Sequence, residues 1–197
     1  TSSASRIDRG VLRVELRHRQ RRVAQVQQFL RIFVDIVLWR RGPQDLPTST
    51  LLFGAAVAAY VAVSAVQLAL LGEPAATWFL FMVVDPLLLG AWVWLVLRLF
   101  SKPERFLQTA SAVFGAGAVL GLALYLPLQL IATAFGQEPS SGLAQTFALL
   151  LVVTFALVTG RIIKLATESN LFTGIAVSLT YFLLINYLVG VARGAGA

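Results

Sequence analysis

The chain has 197 residues, of which 58% are apolar and only 13% charged, whereas charged residues make up about a quarter of a soluble domain. That balance excludes an ordinary water-soluble fold, and five membrane crossings of about 20 residues each leave no length for a soluble catalytic domain. The net charge of +7 is local: residues 1–45 hold ten Arg and four acids, net +6, and everything after them carries +1. Cysteine is absent, which removes disulfides, thiolate metal sites and a Cys nucleophile; no metal or cofactor is expected.

Residues 1–45 read as a basic arm. Leu12, Leu16, Val23, Val26, Leu30, Phe33 and Val37 recur at alternating spacings of four and three once Arg19 takes one slot, which predicts an amphipathic helix ended by Arg40, Arg41, Gly42 and Pro43. Two readings of the arm stay open. Arg13, Arg17, Arg21 and Arg22 would lie on anionic lipid head groups, an attraction of roughly 1 kcal/mol per base. Alternatively, Leu16, Val23, Val26, Leu30 and Phe33 would fill the groove of a partner subunit. Nucleic acid is not expected, because no aromatic residue precedes Phe29 to stack on a base. The first long apolar stretch begins at Leu51, too late for a cleaved signal peptide.

Uninterrupted apolarity then predicts five membrane-spanning helices, over 51–71, 78–97, 109–131, 143–160 and 171–191. Pro47 and Thr48 precede the first, Gly72 and Pro74 follow it, and a Gly- and Ser-containing stretch at 136–142 separates the third from the fourth. Ser101 and Glu104, with Pro103 between them, carry the spacing of a capping box at the start of the third. The expected architecture is an all-α integral membrane protein, with residues 46–197 as a five-helix bundle behind the arm 1–45.

Bases set the expected orientation, since Lys and Arg flanking short loops stay on the cytoplasmic side. The arm, then Arg98, Lys102 and Arg105 between the second and third spans, and Arg161 and Lys164 between the fourth and fifth, place fifteen of sixteen bases on one side. The intervening loops hold Glu73 and Glu138 and no base. The expected location is the bacterial inner (cytoplasmic) membrane, with the amino terminus cytoplasmic and the carboxyl terminus, beyond Arg193, periplasmic.

Inside the spans, Gly117 and Gly121 form a GxxxG pair, with Ala112 and Ala116 beside it and Ala55, Ala58, Ala59 and Ala62 on the first helix; small residues at this spacing let helices approach in lipid. Asp85 is the one acid in any span, and such a group is paired, protonated or functional. Pro86 after it removes a helix hydrogen bond. Gln67, Gln129, Thr133, Gln145 and Asn186 fall at comparable depth, so an outer-half polar layer is expected. It would serve either as interhelical hydrogen bonding or as a lipid, quinone or small-solute pocket, with proton transfer through Asp85 as a further option. Catalysis is disfavoured: His18, the only His, lies in the arm, and no second intramembrane acid exists. Tyr60, Tyr125, Tyr181, Tyr187, Trp78, Trp92 and Trp94 read as interface anchors or packing.

From Phe29 onward, about four fifths of the chain resembles the Yip-domain family of five-span membrane proteins. The segments FLRIFVDIVLWRRGP, SKPERFLQTASAVFGAGAVLGLALYLP and ESNLFTGIAVSLTYFLLINYLVG carry the resemblance. Where eukaryotic members have Asp-Leu-Tyr-Gly-Pro, this chain reads QDLPTSTLLF and shares only Asp45 and Leu46; Phe114-Gly115 stands near their Gly-Tyr. The resemblance implies a role in membrane organisation or trafficking through protein contacts.

The favoured expectation is a non-enzymatic scaffold or accessory subunit of a larger membrane assembly, docked on other membrane subunits through the arm and its Gly/Ala faces. The alternative is a small transporter or a bundle that binds a lipophilic small molecule through Asp85 and the polar layer. The first is preferred because no pair of broken helices or internal duplication marks the sequence as a transporter.

Overall fold

A computed structural model of the protein describes residues 31–71, 75–134 and 142–194. Every regular element among them is helical, and five helices are long and apolar enough to cross a membrane. They are α1 (Thr50–Leu71), α2 (75–99), α3 (106–134), α4 (Gly142–Thr167) and α5 (Leu171–Gly194). The protein is an all-α integral membrane protein built on this bundle. Its helices are apolar around most of their circumference because one face meets lipid and the other meets protein, neither of which hydrates a backbone.

At the centre of one half of the bundle is α3, where every residue from Thr109 to Ala116 is buried. That burial is possible because the run is mostly Ala, Ser and Gly, which let neighbouring backbones close in. The GxxxG pair joins α3 to α1 within the chain: a Cβ on Gly117 would stand 2.9 Å from the Tyr60 ring, and one on Gly121 2.8 Å from Val63.

Helices α4 and α5 form a hairpin closed by residues 168–170, with Glu168 in the left-handed region at φ 58°. Gly160 does not end the fourth helix as expected. It faces Gly174 of α5 so closely that a Cβ on Gly174 would strike the Gly160 carbonyl oxygen. The helix runs two turns further to Thr167, carrying Arg161 and Lys164, which sequence reading put in a loop. Long basic side chains can ride on a helix end because their stems lie along apolar surface while the charge reaches the head groups.

The third helix also begins differently. Lys102 occupies the cap position of a short 3₁₀ turn, Pro103–Arg105, without a side-chain cap bond, and Ser101 takes φ 57°. The turn is held instead by Arg105, which bonds the Ala166 carbonyl at 3.0 Å and Glu168 at 2.5 Å, and by Lys102 on Glu168 at 2.9 Å.

The described end of the arm, a helix over 31–37, packs on this basic end of the bundle. Phe33 and Ile36 are buried, and the Phe33 ring occupies the space a side chain at Gly115 would need. Trp39, at φ 65°, reverses the chain, and Arg161 both stacks over its ring at 5.3 Å and bonds the Arg41 carbonyl at 3.0 Å. Phe33 therefore serves the chain's own core, where sequence reading gave it to a partner.

Candidate functional site

Two transmembrane helices widen into a π turn at the same place relative to a proline. Residues Leu80–Val84 of α2 form a π-helical turn that ends two residues before Pro86, and Gly121–Tyr125 of α3 form another that ends two residues before Pro127. A proline in a helix lacks the N–H for its i−4 bond and its ring presses on that carbonyl. Widening the preceding turn relieves the crowding, so that Asp85 N–H bonds Leu80 O and Leu126 N–H bonds Gly121 O, each five residues back. Both helices run on through these turns as single crossings, Thr77–Leu99 and Pro103–Ile131.

The first π turn presents Asp85 to its neighbours. The residue is 1% exposed and lies eight residues into the Thr77–Leu99 span, about 12 Å deep at 1.5 Å per residue. Its two carboxyl oxygens each accept a phenol: Tyr60 of α1 donates to Oδ2 at 2.6 Å and Tyr181 of α5 to Oδ1 at 2.5 Å. Tyr181 also reaches the Asp85 carbonyl at 3.2 Å. A carboxyl group in the bilayer is thus met by two hydroxyls from separate helices. No base lies on the facing segments 50–71, 106–134 or 171–191.

Tyr60 and Tyr181 are the functional residues that residue type alone misses, since it makes both interface anchors. Their position carried the signal. Each sits ten residues into a 21-residue span, the middle of the bilayer, whereas aromatic belts lie at its edges. Further packing holds the cluster: Phe114 meets the Tyr60 ring edge-on at 5.4 Å, and Trp92 lies 6.4 Å from the Tyr181 ring.

Beside the cluster, in the half of the bundle away from the basic end, is a cavity of about 380 Å³. All five helices contribute to it. Apolar walls come from residues such as Phe81, Leu124, Leu151, Phe155 and Phe182, and Tyr60, Ser64, Gln67 and Tyr125 supply the polar groups; among the described residues no charged one lines it. Both π turns contribute wall residues, Phe81 from the first and Gly121, Leu124 and Tyr125 from the second.

The expected polar layer assembles only in part. Asp85 is joined to Tyr60 and Tyr181, and Gln67 donates Nε2 to the Gly121 carbonyl across to α3 at 3.2 Å. Gln129 is half-buried and engaged in an interaction of its own. Asn186 departs from the layer: it is exposed and bonds the Phe182 carbonyl of its own helix at 2.7 Å, the cheapest way to satisfy an amide on a lipid-facing surface. The side chain of Gln145 lies outside the described residues, as do Leu16, Val23, Val26, Leu30, Arg13, Arg17, Arg21 and Arg22.

The fold and this site define a polytopic membrane protein with an apolar pocket that is open on one side. No family model, curated protein or solved structure matches the chain.

Proposed function

We propose that this protein binds an uncharged lipophilic molecule, such as a lipid or an isoprenoid, within its bundle, and that it does so without catalysis. One observation carries the reading: a cavity of about 380 Å³, within the range of ligand sites, has apolar walls, four polar residues of which three lie on α1, and no charge among the described residues that line it. A charged ligand would find no counter-ion there, and a water-soluble one would gain little from walls of Leu, Val and Phe. The absence of catalysis is supported by chemistry the spans lack, with the only His in the arm and one carboxylate among the crossings.

The proposed placement is a bacterial cytoplasmic membrane with the arm in the cytoplasm, supported by the fifteen bases on one side. Five crossings agree with the resemblance to the Yip-domain family, which we keep as a proposed kinship. A scaffold role is the second reading. It is favoured by one surface, the exposed stripe of Gly54, Ala55, Ala58, Ala59 and Ala62 on α1, which another helix could approach closely.

The test is extraction of lipophiles from protein purified out of native membranes in mild detergent, read by mass spectrometry. A Leu151→Trp variant, which fills the cavity from its wall, is expected to lose a species that the parent chain retains after delipidating washes. Identical extracts from the two proteins would refute the binding role.

A further inference from the structure

We propose that the cavity selects a lipophilic alcohol, a ligand whose head is a hydroxyl group; this rests on the cavity being a binding site. The ground is the direction of the hydrogen bonds along one stripe of α1. Tyr60, Ser64 and Gln67 follow each other at intervals of about one turn and all line the cavity. Each has spent a proton inside the protein. Tyr60 donates its only one to Asp85 Oδ2 at 2.6 Å, Ser64 donates its only one to the Tyr60 carbonyl at 3.0 Å, and Gln67 gives Nε2 to the Gly121 carbonyl at 3.2 Å. Because a carbonyl can only accept, the Gln67 amide nitrogen must face Gly121, which fixes Oε1 on the other side.

What the stripe has left is therefore three oxygens with vacant lone pairs and one spare amide proton on Gln67. Tyr125, the fourth polar residue of the wall, holds an interaction of its own. A ketone, ether or ester head could use only the one amide proton, and a hydrocarbon could use nothing. A hydroxyl donates to one of the oxygens and accepts from the amide at once. An ammonium head would donate as well, but among the described residues no carboxylate lines the cavity to pair with its charge, and a buried unpaired charge is strongly disfavoured. The polar stripe runs along a single helix while the other four supply mostly apolar wall, so the head lies against α1 and the chain extends toward α4 and α5.

The experiment uses the full chain in phosphatidylcholine nanodiscs and two matched probes, farnesol and farnesyl methyl ether, with saturable binding measured above that of empty discs. Farnesol is expected to bind about fivefold to tenfold more tightly than the ether, the value of the one hydrogen bond that only the alcohol can donate. In a Ser64→Ala/Gln67→Leu variant the two probes should come within about twofold of each other, the ether weakening only by the bond it loses to the Gln67 amide, and its remaining saturable binding reports that the cavity is intact. Should that variant lose the ether too, the single variants Ser64→Ala and Gln67→Met decide by the same ratio. Equal affinities in the parent chain, or a preference that survives these substitutions, would overturn the alcohol assignment and leave the binding site standing. Saturable binding of neither probe would overturn both.

Discussion

At Asp85 the two carboxyl oxygens and the two phenols that meet them form a closed set, and each partner comes from a different helix. Removing one member therefore does more than delete a bond, because a buried polar group left unpaired costs about 1–3 kcal/mol. Asp85→Asn preserves shape and can still accept from Tyr181 while donating to the Tyr60 oxygen, so its expected cost is below about 1 kcal/mol. Asp85→Leu orphans both hydroxyls and should cost about 2–4 kcal/mol, since interhelical bonds in lipid are individually modest. Unfolding in detergent micelles, followed by near-ultraviolet dichroism from the Trp92 and Tyr181 rings, checks the order of the two. Equal destabilisation by Asn and Leu would mean that a fixed negative charge, not the bonding, holds the cluster. Asp85 itself was legible as the one acid in a span. Its partners were not, because residue type alone places Tyr at interfaces, and only its depth within the helix says otherwise.

Among the elements, the α4–α5 hairpin depends on a contact at each of two levels. Deeper in, Gly160 and Gly174 bring the two backbones together; at the surface Lys102 and Arg105 hold Glu168 in the connecting turn. The paired bases pull the Glu168 carboxyl below its ordinary value of 4.5, first through their hydrogen bonds and then through their charge. A depressed pKa of this kind stabilises the fold at pH values above the ordinary value, and that contribution disappears as the pH falls through the lower folded one. Acidification from about pH 5 to pH 3 should thus loosen the turn in the parent chain, and Glu168→Gln should remove that pH dependence. Amide exchange of residues 168–170 at the two pH values is the measurement, and added salt should weaken the parent's protection because the clamp is exposed. The sequence displayed these charges but assigned Arg161 and Lys164 to the turn, since a glycine before a basic pair looks like a helix end. Gly160 is there for α5, a role visible only once Gly174 is set opposite it.

For the whole molecule, five crossings were readable because each is a long charge-poor run, and the structure moves their limits by little except in the fourth. The proposed orientation makes a direct prediction. A reporter active only outside the cytoplasm should be active when fused after Glu73 or after Ala197 and silent when placed at Glu168, the tip of the hairpin. Activity at Glu168 would invert the bundle. The boundary between arm and membrane domain was less legible, because Phe33 continues the apolar spacing of the residues before it. Nothing in that spacing distinguishes a stripe meant for another chain from one that lies on Gly115 of the same chain.

The π turns have a consequence for how the chain can change in length. Each is one residue richer than an α-helical turn, so each adds a single step to the helix's count without lengthening it by a full turn. Removing that step from α2 would rotate everything on its far side by about 100°, carrying buried Thr77 toward lipid and moving exposed Phe79 off its outer face. The same excision in α3 would turn Leu126 and the residues after it away from their present neighbours. The surplus residues thus act as register marks: the ends of α2 and α3 away from the basic face keep their facing only while both are retained, and a one-residue deletion there reshapes the cavity wall more than many substitutions within it.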